Sequence, residues 1–234
     1  PGEDKARLSM VDKSLPGAFC VNSEGKRFSN ESQNYVSFVD DMYTKYSSGN
    51  PCIPCYMIFD SNYRKKRPCG PLLQSSFMPD RFVPESWWDE SFLIKSDTIE
   101  GLADKLGIDS DGLLQTVVKV NGYAKSGKDL DFKRGDSLYD RYYGDPVVKP
   151  NSCLGPIQKS PFYSITLYPG EMGTAGGLVI DTKARVLNID NNPISGLWAC
   201  GNCTSALLPR YPGPGSTLGP AMTFGYIAGR DVGG

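Results

Sequence analysis

Glycine and proline are unusually frequent in this sequence, and they limit the length of any helix or strand. The chain of 234 residues includes 26 Gly and 18 Pro, about 19% of the total where about 12% is usual. Both residue types interrupt regular elements and form turns. Because hydrophobic residues still make up 39% of the chain, we expect a globular fold of short strands and helices joined by many turns.

The charge balance and the lack of histidine exclude several classes of function. The 25 basic and 26 acidic residues give a net charge of −1, so no broad field of one sign attracts nucleic acid or an anionic membrane. The sequence contains no His, which excludes His-based catalytic triads, proton shuttles and zinc sites. Acid–base chemistry is left to Tyr, Cys, Lys or a carboxylate.

The cysteines predict a reducing compartment and leave a second interpretation open. Seven is an odd number and too few for a disulfide-stapled domain, which favours reduced thiols and a cytoplasmic location. Two CxxC motifs, 52–55 and 200–203, could hold a metal or form a redox dithiol. They lie about 145 residues apart, far beyond zinc-ribbon spacing, so we expect no metal site. No apolar run is long enough to span a bilayer.

Capping signals and periodicity predict three helices. Asp97 or Thr98 can cap a helix that Gly107 ends, and Ser110 can cap a second that ends before Gly122. The last helix is predicted over residues 219–230. Short apolar runs between turns predict six strands, at 17–21, 55–60, 162–168, 178–181, 185–189 and 197–200.

Three segments carry residues suited to catalysis or ligand binding. Tyr35 follows Glu31 by four residues and is either a proton-transfer group or a tyrosine packed at a core edge. Residues 170–177 and 210–222 are rich in glycine, which lets a main chain approach a ligand and point N–H groups at it. The second of these runs into the last helix, whose N-terminus favours anions and carbonyl oxygens. By contrast, residues 64–88 show no clear hydrophobic period and are predicted to form an ordered loop. The four basic residues at the start of this loop predict a surface exposed to solvent.

Several short motifs follow one another in a characteristic order. They are Gly25-Lys26-Arg27-Phe28 with Asn30-Glu31, Gly144-Asp145-Pro146, Gly173-Thr174-Ala175-Gly176-Gly177-Leu178, Gly196-Leu197-Trp198-Ala199-Cys200-Gly201-Asn202, Tyr211-Pro212-Gly213-Pro214-Gly215, and Gly219-Pro220-Ala221-Met222-Thr223-Phe224-Gly225-Tyr226-Ile227-Ala228-Gly229. This order resembles the C-terminal half of flavoproteins of the fumarate reductase superfamily, and within it the 3-ketosteroid delta-1 dehydrogenases. The resemblance extends from about Leu15 to Asp231.

The resemblance implies an FAD-dependent oxidoreductase that introduces a double bond into ring A of an apolar 3-ketosteroid. It implies that Tyr35 removes a proton from C2, while hydride leaves C1 for flavin N5. The Tyr211 hydroxyl and the Gly215 N–H would hold the C3 carbonyl. The residues implied to lie along FAD are Gly201, Asn202, Leu218, Gly219, Ala221 and Met222.

Departures from the wider superfamily favour a neutral substrate. This chain has Gly173 and Thr217 where dicarboxylate reductases carry a substrate-binding His and Arg, and a dianion would be poorly held without those cations. Asn202 replaces the usual ribose-binding Glu, as it also does among the steroid enzymes. No Gly-x-Gly-x-x-Gly fingerprint stands between a strand and a helix. We therefore expect an N-terminal FAD-binding half of the same protein as a partner, and an inactive chain without it.

The predicted architecture has two parts. An α+β catalytic (capping) domain, residues 1–172, precedes the C-terminal segment of a Rossmann-like α/β FAD-binding domain, residues 173–234. The expected small-molecule partner is an apolar steroid ketone, with no nucleic acid and no transmembrane segment. Dehydrogenation at another ring bond and enoate reduction like that of fumarate reductases remain alternatives. An alternative from another class of function is a CxxC metal- or dithiol-binding module without catalysis.

Overall fold

The chain divides into two compact units, Pro1–Pro169 and Gly170–Gly234. The computed structural model describes residues 9, 11–89, 92–171, 173, 176–208, 213 and 215–233. The first unit contains, in order, β1 (Ala18–Val21), α1 (Tyr35–Ser47), β2 (Cys55–Asp60), α2 (Ser61–Lys66), α3 (Glu85–Asp89), β3 (Leu93–Ser96), α4 (Ile99–Leu106), α5 (Ser110–Ser126), α6 (Leu138–Tyr142) and β4 (Phe162–Leu167). The second contains β5 (Arg185–Leu187), β6 (Pro193–Trp198) and α7 (Leu218–Val232). Short 3₁₀ turns lie at Asp12–Ser14, Asp80–Phe82 and Gly201–Cys203.

The first unit is built around an antiparallel sheet with strand order β1-β2-β4-β3. Successive side chains of a strand point to opposite faces, so the sheet buries two separate clusters. Phe19, Val21 and Ile58 pack on one face with residues of α4 and α5. Met57 and Phe59 pack on the other face with residues of α1, α2 and α3. The sheet is therefore the middle layer of three.

The capping signals of α4 are confirmed, and those of α5 need two corrections. The Thr98 hydroxyl accepts the N–H of Gly101 at 3.0 Å, and Gly107 ends α4 in the left-handed region at φ +67°. The carboxylate of Asp109, rather than Ser110, caps α5. That helix also continues past Gly122 to Ser126, because an exposed glycine inside a helix costs only about 1 kcal/mol.

The prediction of a loop at residues 64–88 is wrong in part. The segment holds the end of α2, the turn Asp80–Phe82 and most of α3. Its basic run is not wholly solvated, because Arg64 is only 2% exposed. The Arg64 guanidinium donates to the main-chain oxygens of Leu73 and Met78. These carbonyls lie in irregular backbone and, among the described residues, have no neighbouring strand to donate to them. The buried Arg64 side chain supplies the hydrogen bonds that a strand partner would otherwise make.

Two strand predictions need correction, and one strand was not predicted. Residues 178–181 form only isolated bridges, between Leu178 and Thr204 and between Ile180 and Val186. β6 begins at Pro193 rather than at residue 197, because the preceding turn closes tightly and sets Pro193 opposite Leu187. β3 is an edge strand that the sequence did not predict. Among the helices that the structure describes, none is long and apolar enough to cross a membrane.

Candidate functional site

Tyr35 is the first residue of α1 in the first unit. Asn34 caps the helix, and its side-chain oxygen accepts the N–H of Ser37 at 2.8 Å. Tyr35 is half-buried, and Phe38, one turn further on, is buried in the core. The tyrosine therefore stands at the positive end of a helix, and Phe38 packs the first turn of that helix into the core.

A cluster of buried charges holds the segment before Tyr35. The Arg27 guanidinium pairs with Glu31 at 2.7 Å and with Asp129 at 2.8 Å, and Arg134 pairs with Glu31 at 3.2 Å. All four side chains are at most 3% exposed. We call Arg27, Glu31, Asp129 and Arg134 the buried charge cluster.

The charges of this cluster set one another's ionisation. Burial by itself would raise the pKa of the Glu31 carboxyl, but Arg27 and Arg134 outweigh it and hold that pKa below its usual value. The pKa of Asp129 is lowered in the same way, against burial, by Arg27. Burial opposes the charged form of Arg27, yet its two carboxylate partners raise its pKa. Glu31, Asp129 and Arg27 are therefore ionised at neutral pH, and their ion pairs tie the segment before Tyr35 to the rest of the first unit.

The second unit brings several of the predicted cofactor residues together. Gly201 opens the turn Gly201–Cys203 at φ +78°, and a Cβ at this position would lie 3.4 Å from the Ala221 side chain of α7. Asn202 is exposed in the same turn, as are Leu218, Gly219 and Met222 at the start of the helix. Leu218 and Met222 are 68% and 75% exposed. These residues form one accessible surface of main chain, amide and apolar side chains.

This surface fits part of an FAD site. In the described residues, no atom lies within 4 Å of where a Cβ would stand at Gly215 or Gly219, which leaves room for a flat ring against the main chain. No residue of α7 is buried, although the helix carries several large apolar side chains. At the N-terminus of α7 the Gly219 N–H donates to the Gly215 oxygen at 2.8 Å, and Pro220 has no N–H. Among the described residues, this leaves the N–H groups of Leu218 and of Gly215, at φ +90°, as main-chain donors for this room. A planar group with a polar edge matches that combination.

The remaining predicted site residues are distributed as follows. Tyr35 belongs to the first unit, whereas Gly215 and the six predicted FAD residues belong to the second. Tyr211 lies outside the described residues. The roles of all these residues stay predictions.

The cysteines of the two CxxC motifs differ in environment. Cys52 and Cys55 are buried in the core with Cys20 and Cys69, whereas Cys203 is exposed. All seven cysteines lie in the described part of the chain and carry free thiols. Within that part, no group of three or more Cys, Asp or Glu side chains is placed to hold a metal ion.

Sequence reasoning missed Asp129, Arg134 and Lys13. The first two contribute to the buried charge cluster across 102 and 103 residues. Lys13 is 3% exposed and donates to main-chain oxygens near Tyr35. Nothing in their local sequence distinguishes them from surface residues. Only the Gly25 to Glu31 motif gave a signal, because it contains their partners.

Known proteins similar to this chain include several dehydrogenases of cyclic ketones. The 3-oxosteroid 1-dehydrogenase of Mycolicibacterium smegmatis is 42% identical over 230 residues, covering 96% of this chain and 40% of that protein. The 4-oxocyclohexanecarboxylate 2-dehydrogenase of Sinomonas cyclohexanicum is 40% identical over 237 residues, covering 100% of this chain and 39% of that protein. The chain thus spans about 40% of the length of these relatives.

A solved structure supports the same relationship. The crystal structure of 3-ketosteroid delta1-dehydrogenase from Sterolibacterium denitrificans, in complex with 1,4-androstadiene-3,17-dione, matches with a TM-score of 0.91 and 42% identity. The match covers 99% of this chain and 41% of that structure. The resemblance expected from the motifs and the expected fold class are confirmed.

The family assignment rests on most of the chain. A family profile described as "FAD binding domain" matches residues 4–218. That range includes the buried charge cluster, residues 170–177 and residues 210–218 of the second glycine-rich segment. The cofactor is FAD, as the motifs predicted. The chain therefore belongs to the FAD binding domain family.

Proposed function

We propose that this chain forms the catalytic part of a flavoenzyme that removes hydrogen from the 1,2 bond of a 3-ketosteroid. The observation that carries the proposal is the likeness, over almost the whole chain, to a solved 3-ketosteroid delta1-dehydrogenase. In this proposal, residues 1–172 form the substrate domain and residues 173–234 the returning part of the FAD-binding domain. In the same proposal, the N-terminal half that completes the FAD site belongs to the same protein. A cytoplasmic location stays a prediction.

The first requirement of this reaction is that the ketone oxygen accept negative charge. As the C2–H bond breaks, an enolate develops at C3, and one hydrogen-bond donor aimed at such an oxygen is worth roughly 3 to 4 kcal/mol. The Tyr211 hydroxyl and the Gly215 N–H supply two donors. Gly215 suits this role because it has a positive φ and no side chain, and no atom of the described residues lies within 4 Å of its Cβ position.

The second requirement is a base for the C2 proton, and we assign it to Tyr35. A phenol with the ordinary pKa of about 10 is only about one part in a thousand ionised at pH 7, so a tyrosine base needs up to about 4 kcal/mol of help. The N-terminus of α1, at which Tyr35 stands, contributes roughly 0.3 to 1 kcal/mol toward a negative charge.

When bound, FAD would supply the acceptor for the hydride that leaves C1. Gly201 and Asn202 would hold its ribose region, and Leu218, Gly219, Ala221 and Met222 would lie along the flavin. The N-terminus of α7 favours negative charge at the part of the flavin that lies closest to it.

A second candidate substrate is a small cyclic ketone that carries a carboxylate. It is favoured by the likeness to the 4-oxocyclohexanecarboxylate 2-dehydrogenase over the whole chain. The same residues would perform the same desaturation beside the ketone. Such a substrate would also need a cation for its carboxylate, and Gly173 and Thr217 offer none at the two superfamily positions.

The test compares Tyr35→Phe with wild type in the FAD-loaded protein. We expect androst-4-ene-3,17-dione to bleach the wild-type flavin under anaerobic conditions, with formation of the 1,2-double bond. Removal of the base should slow bleaching by about a hundredfold or more and leave the flavin spectrum unchanged. Tyr46→Phe is the matched control, because Tyr46 lies on the same helix and is 53% exposed.

The outcomes separate the candidates. A wild-type bleaching rate in Tyr35→Phe would remove Tyr35 from the proposed role. Bleaching by 4-oxocyclohexanecarboxylate and not by the steroid would establish the second candidate. A flavin that neither ketone reduces would refute both.

A further inference from the structure

Lys13 is a buried lysine without a carboxylate partner among the described residues. It lies in the 3₁₀ turn Asp12–Ser14 and is only 3% exposed. Lysine is rarely buried unless its charge is paired. Here the ammonium donates to two main-chain oxygens, those of Glu31 at 2.8 Å and Gln33 at 3.2 Å. A costly charge has therefore been placed against one particular stretch of backbone.

That stretch of backbone leads directly to Tyr35. The two accepting carbonyls lie four and two residues before it. The same ammonium lies 4.7 Å from the centroid of the Phe38 ring, which is three residues after Tyr35 on α1. One charge thus contacts the chain on both sides of the tyrosine, through hydrogen bonds before it and a cation–π contact after it.

The turn that carries Lys13 is itself held in place. The Ser14 hydroxyl donates to the same Glu31 oxygen at 3.0 Å, and the Ser32 hydroxyl donates to the main-chain oxygen of Ser14 at 3.3 Å. On its other side, Arg134 donates to the main-chain oxygen of Lys13 at 3.0 Å. Lys13 therefore transmits the rigidity of the buried charge cluster to the start of α1.

The charge of Lys13 is sensitive to pH. Burial lowers its pKa from 10.5 to about 8. The titratable and charged groups around it are Asp12 in the same turn, the Cys20 thiol on β1, the Cys55 thiol on β2, and Glu31 and Arg134 from the adjacent segments. From α1 it meets the uncharged ring of Phe38. Above about pH 8 the nitrogen becomes a neutral amine, whose hydrogen bonds and cation–π contact are weaker.

We propose that Lys13 is a positioning residue for Tyr35, fixing residues 31–38 so that the phenol stands correctly against the substrate carbon. The proposal rests on the role assigned to Tyr35 above. Lys13 touches neither substrate nor flavin in this scheme, so it acts on the rate of proton removal rather than on binding. An apolar side chain of similar length would fill the space but could not hold the two carbonyls.

The first experiment compares Lys13→Met with wild type in the FAD-loaded protein. We expect kcat for the 3-ketosteroid to fall about tenfold or more, since small misplacements of a catalytic group have effects of this size. KM and the flavin spectrum should change less than about twofold. Lys119→Met is the control, because Lys119 is exposed on α5, and it should match wild type. Wild-type kcat in Lys13→Met would overturn the proposal.

Two further measurements cover the case in which Lys13→Met does not fold. Ionisation of a tyrosine base raises the wild-type kcat with pH, and loss of the Lys13 charge should stop or reverse that rise above about pH 8, with the circular dichroism and flavin spectra unchanged. Amide hydrogen-exchange protection of residues 31–38 should fall over the same range, while that of α5 stays constant. A kcat that keeps rising with pH beyond about 8, together with constant protection of residues 31–38, would refute the positioning role. If no ketone reduces the wild-type flavin, the proposed function fails, and the exchange measurement alone decides whether Lys13 holds this segment.

Discussion

At the scale of single residues, Glu31 connects the buried charge cluster to β1 and to the segment that leads into α1. It is fully buried and pairs with both Arg27 and Arg134. It also accepts the main-chain N–H of Cys20 at 3.1 Å, which ties the cluster to β1. Because two cations share the one carboxylate, its loss would leave buried positive charge without compensation.

Glu31→Gln should destabilise the protein by about 3 to 5 kcal/mol, the usual effect of removing one partner from a buried ion pair. Urea unfolding at pH 7 measures the change. Glu24→Gln is the control, because Glu24 pairs with Lys26 while its side chain is 51% exposed. We expect that variant to lose at most about 0.5 kcal/mol. Equal stabilities of the two variants would contradict the importance of burial.

The same carboxylates predict how stability depends on pH. The pKa values of Glu31 and Asp129 are lower in the folded protein than their ordinary values of 4.5 and 3.8. A lowered folded pKa gives a stabilising contribution that is complete above the ordinary value and is lost as pH falls toward the folded one. Urea midpoints should therefore drop steeply below about pH 4.5, and less steeply in Glu31→Gln.

At the scale of elements, two glycines let the turn after β1 lie directly on the first turn of α5. A Cβ at Gly112 would stand 2.0 Å from the main-chain oxygen of Glu24, and one at Gly25 would stand 2.2 Å from the main-chain nitrogen of Leu113. Asp109 donates its N–H to the Ser23 oxygen at 3.0 Å in the same contact. This close approach joins the helical layer to the strand that precedes the buried charge cluster.

Gly112→Ala should therefore destabilise the first unit by roughly 1 to 3 kcal/mol, because the obstructing atom is backbone and cannot turn away. Gly122→Ala on the same helix is the matched control. Nothing in the described residues lies within 4 Å of its Cβ position, so it should stabilise by up to about 1 kcal/mol. Thermal and urea unfolding compare the two. A Gly112→Ala protein as stable as the control would show that the contact is loose.

At the scale of the whole molecule, the buried apolar residues are distributed unevenly between the two units. Both core clusters lie entirely within Pro1–Pro169. In the described part of Gly170–Gly234, only Ala184 and Val186 are buried hydrophobic residues. Leu218, Met222 and Tyr226 of α7 are each at least 67% exposed. The second unit thus has little core of its own.

Residues 1–169 and 170–234, expressed separately, should behave differently. The first piece has two core clusters and should unfold cooperatively in urea, whereas the second buries too little apolar surface to offset its conformational entropy. Far-UV circular dichroism during a urea titration distinguishes these cases. A cooperative transition in isolated 170–234 would contradict this account.

Local signals in the sequence were sufficient for several elements and for the family. Thr98 and Gly107 mark the two ends of α4, and apolar runs predict β2 and β4. Caps and periodicity act over only a few residues, so the local sequence is enough to predict them. The glycine motifs and the absence of His restrict the chemistry in the same direct way. These features were predicted because each depends on neighbours within about one helical turn or one strand.

Only the tertiary structure decided which charges are buried and which strands pair. β3 becomes a strand by pairing with β4, which begins more than sixty residues later. Arg64 and Lys13 look like surface residues in the sequence, yet both are buried among main-chain carbonyls. Glu31 meets Arg134 across 103 residues. Desolvation and strand pairing depend on contacts between segments that are distant in the sequence. Short-range sequence patterns contain no information about those contacts.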